Sequence, residues 1–213
     1  MQTIALRVAP RARVTRATYQ VAAVVAGSLL VAGLAQISIK LPFTPVPITG
    51  QTLGVLLVGA SLGPILGASS LLLYIAEGAA GLPFFAGSES GWHGLFAPSA
   101  AFASAGYLWG FVLAAAVVGW LARRGWDRSL RSSIGAMLIG EIVLYAVGIV
   151  WLAAALHIPV VDATPYTCNV STLASCDAFL LGLYPFLIGD VLKLLVAAAI
   201  LPSTWRLVGR AEP

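Results

Sequence analysis

Gly189-Asp190-Val191-Leu192-Lys193 sets one acid and one amine inside an otherwise apolar run from Ala178 to Leu201. A run of that length is enough to cross a bilayer, which takes roughly 20 apolar residues. Ionisable groups at membrane depth are costly unless they pair or face a cavity, so the two residues read as a functional site. At i, i+3 they share one helix face. There they can satisfy each other, or grip a small ligand that offers N–H donors and a carboxylate.

The rest of the chain fits a membrane setting. Of 213 residues, 60% are hydrophobic and only 9% charged, and the mean hydropathy is +0.95. Soluble domains carry about 25% charged residues. The composition therefore indicates an integral protein with several spans in a lipid bilayer. The net charge of +4 does not point to nucleic acid, because the arginines cluster at the ends of spans, where they set topology.

Six segments can be drawn, at about Ala17–Ser38, Gly50–Leu62, Pro64–Gly81, Ala101–Ala122, Ile134–Leu156 and Ala178–Leu201. The second is short for a span, and Leu62-Gly63-Pro64 makes a tight turn between it and the third. Arg7, Arg11, Arg13 and Arg16 precede the first segment, Arg123, Arg124, Arg128 and Arg131 follow the fourth, and Arg206 and Arg210 follow the sixth. With six spans all ten fall on one side and only Lys40 on the other. The expected fold is an all-α integral membrane protein of six transmembrane helices with both termini cytoplasmic. Residues 1–16 read as a basic cytoplasmic tail with no cleavable signal peptide, 17–202 as the membrane domain, and 203–213 as a second cytoplasmic tail.

Three segments then face outward: Lys40–Thr49, Leu82–Ala100 and His157–Asp177. The first contains Pro42, Pro45 and Pro47, which make it stiff and extended, and it delivers Thr49 and Gln51 to the mouth of the second span. In the third span Tyr74 and Glu77 share a face, and Glu77 is a second intramembrane acid, able to touch a ligand or simply to reach water. Tyr107 and Trp109 fit an interfacial aromatic belt, although Tyr107 can also stack on or bond a ligand. Glu141 lies near the cytoplasmic end of the fifth span, where it can snorkel or pair with an arginine. Cys168 and Cys176 both fall in the third outward loop and can form a small-loop disulfide.

Ala22/Ala26, Ala23/Gly27 and Ser28/Ala32 form small-xxx-small stripes on the first span, the signature of close helix packing. They serve contacts within the chain or a docking surface for another membrane subunit. No Cys/His cluster has metal-site spacing, and His93 stands alone. No Walker A motif, nucleophile elbow, HExxH or dinucleotide fingerprint is present. No cofactor and no enzyme activity are expected, and uphill transport would draw energy from a partner or an ion gradient.

Five stretches taken together resemble the BioY family, the biotin-binding S-components of energy-coupling factor (ECF) transporters. They are Pro45–Leu53, Leu62-Gly63-Pro64, Gly81–Gly87, Gly106–Phe111 and Gly189–Lys193. The resemblance implies six helices enclosing biotin near the outer face of the cell membrane of a bacterium. It puts Asp190 and Lys193 at the site. With biotin as the ligand, our expectation is that Gln51, Thr49, Tyr74 and Glu77 supply further polar contacts and that Tyr107 walls the ring. The resemblance also implies that Ala22 and Ala26 dock on a transmembrane coupling subunit carried by two cytoplasmic ATPases, and it leaves room for uptake without those ATPases. The stretch Ala97–Ala105 departs from the Gly-Pro-Thr-Gly-Gly-Tyr type of run usual in the family. Two alternatives remain at this level. One is an S-component for another vitamin. The other is a stand-alone ion-coupled carrier with Glu77 and Asp190 as relays.

Overall fold

Each apolar segment becomes helical, and local chemistry sets the ends. The computed structural model describes residues 3–5, 13–161 and 176–210. Helix α1 runs over Arg13–Gln36. A two-residue strand β1, Ser38–Ile39, pairs antiparallel with β2, Ile48–Thr49, in the register Ser38↔Thr49 and Ile39↔Ile48. Then follow α2, Gln51–Leu62, α3, Pro64–Ala79, α4, Ala105–Arg123, and α5, Leu130–Leu156. The short α6, Ala178–Gly182, precedes α7, Leu187–Arg210. Four of these helices, α1, α4, α5 and α7, are long and apolar enough to cross a membrane.

Helices α2 and α3 are shorter, with 12 and 16 residues, or about 18 and 24 Å of rise. They are joined by Gly63, whose φ of 88° suits glycine, and by Pro64 at the first position of α3, where the missing N–H costs nothing. Helix α2 starts late because the proline-rich segment before it dips into the bundle. Val46 and Thr44 are buried there, and Thr44 Oγ1 donates to the carbonyl of Leu181 at 2.6 Å. Helix α4 packs against α2, α3 and α5. At Gly59 the approach is close enough that a Cβ would sit 2.7 Å from the carbonyl oxygen of Ala115.

Two boundaries differ from the sequence reading. The run drawn as one span from Ala178 to Leu201 is broken after Gly182. Pro185 lies in the break, where it supplies no N–H and holds the residue before it out of helical conformation. At the other end α7 continues to Arg210 through Pro202, so residues 203–210, assigned to a tail, are helical. The hydroxyls of Ser203 and Thr204 bond the carbonyls of Ala199 and Ile200, each at 2.9 Å, and carry the helix past the proline.

The stripes on α1 also separate. Gly27 packs so tightly on α3 that a Cβ would lie 2.6 Å from Ser70 Oγ, and Ser28 and Ala32 are buried. Ala22 and Ala26 stay exposed. Cys176 is buried and disulfide-bonded, while Cys168 lies outside the described residues.

Candidate functional site

Helix α7 begins one turn before Asp190, so the carboxylate sits where unsatisfied N–H groups and the helix dipole favour negative charge. Asp190 is 3% exposed, and all of its charge is answered by side chains. Lys193 Nζ donates to Oδ1 at 2.7 Å. Thr52 Oγ1, one residue into α2 from Gln51, donates to the same oxygen at 3.0 Å. Lys193 Nζ also donates to Thr52 Oγ1 at 3.0 Å. From α5, Tyr145 Oη donates to Oδ2. Three helices thus converge on one carboxylate.

This cluster floors a cavity between the helices. Thr49, Gln51, Thr52, Tyr107, Tyr145, Asp190 and Lys193 line it, together with apolar walls from Val46, Pro47, Phe85, Phe102, Leu108, Phe111 and Phe186. A few polar groups at one end of an apolar hollow is the usual pattern of a small-molecule site. The ring of Tyr107 meets that of Tyr145 edge-on, with centroids 6.0 Å apart, and its hydroxyl donates to the carbonyl of Gly182 at 2.9 Å. Phe102 and Ser104, from the stretch that departs from the usual family pattern, line the cavity too.

Five of the residues named from the sequence come together here: Asp190, Lys193, Gln51, Thr49 and Tyr107. Tyr74 does not line the cavity. It is fully buried and stands behind Gln51, accepting from its Nε2 at 2.7 Å and donating to the carbonyl of Phe84 at 3.2 Å. Gln51 Oε1 in turn accepts from Thr49 Oγ1 at 2.9 Å. Tyr74 therefore orients Gln51, because its hydroxyl is spent inside the bundle. Glu77, three residues on, is also absent from the lining. Its Oε2 is buried without a hydrogen-bond partner among the described residues.

The sequence reading missed Thr52 and Tyr145 as site residues. Thr52 lay inside a motif whose role was given to its neighbour Gln51. Tyr145 carried one faint signal, a hydroxyl in mid-span that needs a partner. Among the described residues no group of three or more His, Cys, Asp or Glu could hold a metal ion.

The chain has close counterparts. It is 35% identical over 167 residues to the biotin transporter BioY of Rhizobium etli, covering 75% of this chain and 78% of that one. It is 33% identical over 162 residues to the biotin transporter BioY of Thermotoga maritima, covering 76% and 82%. In fold it is similar to the crystal structure of the S-component for biotin from an ECF-type ABC transporter, with a TM-score of 0.72, 22% identity, and coverage of 92% of this chain and 95% of that one. The BioY family profile matches residues 7–210. The chain is a multi-pass membrane protein and belongs to the BioY family.

Proposed function

We propose that this chain captures biotin on the outer face of the cell membrane and serves as the S-component of an ECF-type transporter. The observation that carries this reading is the inventory of free donors and acceptors at the cavity floor. Lys193 uses two of its three N–H groups on Asp190 and Thr52, and one remains. Among the described residues Asp190 Oδ2 takes only the Tyr145 hydroxyl, and a carboxylate oxygen accepts two bonds. A cyclic urea offers the complement, with an N–H for Asp190 and a carbonyl for Lys193. The charge-assisted bonds that result are among the stronger ones. The apolar walls suit the remainder of the ring system, and Gln51, Thr49 and Tyr107 supply further contacts at its edge.

In this reading the four long helices and the shorter α2 and α3 all lie in the bilayer, the arginine clusters and both termini are cytoplasmic, and the proline-rich loop faces out. Ala22 and Ala26 stay exposed while the neighbouring stripes pack inward, which supports their use in docking a coupling subunit attached to two ATPases. A Cys168–Cys176 bond stiffens the segment that leads into α6.

Titration of the purified chain in detergent with biotin, thiamin and riboflavin tests the reading, with calorimetry or tryptophan fluorescence as readout. Selective binding of biotin is the expected result. Binding of a different vitamin keeps the S-component role and rejects biotin. Binding of none rejects capture.

A further inference from the structure

A ligand with a carboxylate tail needs a cation that the floor of the cavity does not supply. Lys193 is the cation there, and Asp190 already balances its charge. A second chamber adjoins the first and shares Pro47, Ala86, Phe102 and Ser104 with it as a common wall. Lys40 and Glu89 line this chamber. Lys40 Nζ bonds Glu89 Oε1 at 3.1 Å, with side chains 70% and 52% exposed.

The position of Lys40 is built by the fold. Lys40 follows β1 directly, and Glu89 follows the 3₁₀ turn Ala86–Ser88, so their bond clasps the proline-rich loop to the next one. Gly87, at φ 70°, lies under the lysine stem, where a Cβ would sit 3.3 Å from Lys40 Cε. Ser88 Oγ anchors that turn on Gln36 Oε1 at 2.9 Å. An exposed ion pair of this kind contributes little to stability. Lys40 can therefore change partner at little cost while its backbone stays in place.

We propose that Lys40 releases Glu89 to bind the carboxylate of a ligand whose uncharged ring rests on Asp190 and Lys193, so that the outer chamber selects an anionic tail. This rests on the biotin reading of the inner cavity. Glu89 acts as the competing anion that holds Lys40 over the entrance until the ligand arrives.

Affinities for biotin and for its neutral amide separate this role from a purely structural one. They are measured on the purified chain and on Lys40→Met, Lys40→Arg and Glu89→Gln. The wild type is expected to prefer the acid by about tenfold, the size of one charge-assisted bond. Lys40→Met is expected to lose that preference with its affinity for the amide unchanged, Lys40→Arg to keep it, and Glu89→Gln to bind the acid more tightly. An undiminished preference in Lys40→Met overturns the proposal. So does an equal loss for both ligands, the mark of a clasp that only shapes the loops. A wild type that binds both ligands without preference rejects the role of Lys40 alone. A wild type that binds neither rejects the inner-site reading and the role of Lys40 with it.

Discussion

Asp190 and Asp127 are both almost fully buried, at 3% and 1% exposure, yet their surroundings differ. Asp190 meets a lysine, a threonine and a tyrosine drawn from three helices and borders a cavity. Asp127 lies in the turn between α4 and α5. Its Oδ2 accepts from Trp205 Nε1 at 2.5 Å, and its Oδ1 has no hydrogen-bond partner among the described residues. Arg128 stacks over the Trp205 ring, 4.9 Å from its centroid, and acts on the carboxyl only through its charge. A buried acid with a cation and spare lone pairs at a cavity can recognise a ligand. A buried acid without them ties two segments together, here the α4–α5 turn and the end of α7.

The largest effects are expected where this contrast is broken at Asp190. Lys193→Met leaves that carboxylate buried without its cation, a loss of about 3–5 kcal/mol. The expected result is a fall in Tm of about 10 °C, read by thermal unfolding in detergent, together with loss of biotin binding. Adding Asp190→Asn to Lys193→Met removes the stranded charge and should restore most of the Tm without restoring binding. Asp190→Asn alone is expected to weaken biotin about a hundredfold, since it replaces a charged acceptor by a neutral one. Wild-type affinity in that variant would end the assignment of Asp190 to the ligand.

Tyr145→Phe is a sharper and smaller test, because it deletes one hydroxyl and keeps the ring against Tyr107. Affinity should fall by about tenfold, the value of one bond to a charged group. Unchanged affinity would show that Asp190 needs only Lys193 and Thr52 to hold its geometry.

What the sequence could show divides along the same line. Asp190 and Lys193 stood out because charge in an apolar run is expensive. The helices were legible because their apolar stretches are long, and the α2–α3 turn because Gly63-Pro64 punctuates it. Thr52 and Tyr145 were hidden because their meaning lies in contacts to Asp190 across 138 and 45 residues of chain. No local pattern reports such contacts. Tyr74 misled for the converse reason. It shares a helix face with a carboxylate, but its hydroxyl turns inward to Gln51. The break at Pro185 was overlooked because apolar residues surround it on both sides.

The smallest effect belongs to Asp127. Burial raises its carboxyl above the ordinary aspartate range, against the opposing pull of the Trp205 N–H, a backbone N–H and Arg128. The folded chain therefore keeps this proton at pH values where the unfolded chain, near about 4, has released it. The contribution of the group to stability is greatest below that value and declines as the pH rises through the raised one. Asp127→Asn keeps a carbonyl for Trp205 and removes the titration. Its Tm should exceed that of the wild type at pH 7.5, by about 2–4 °C for each kcal/mol recovered, and the gap should close as the pH is lowered. Biotin affinity should not change, because Asp127 sits outside the cavity lining. A Tm below wild type at every pH would show that Asp127 gains more from its charge than burial costs it, and the contrast between the two acids would then rest on the cavity alone.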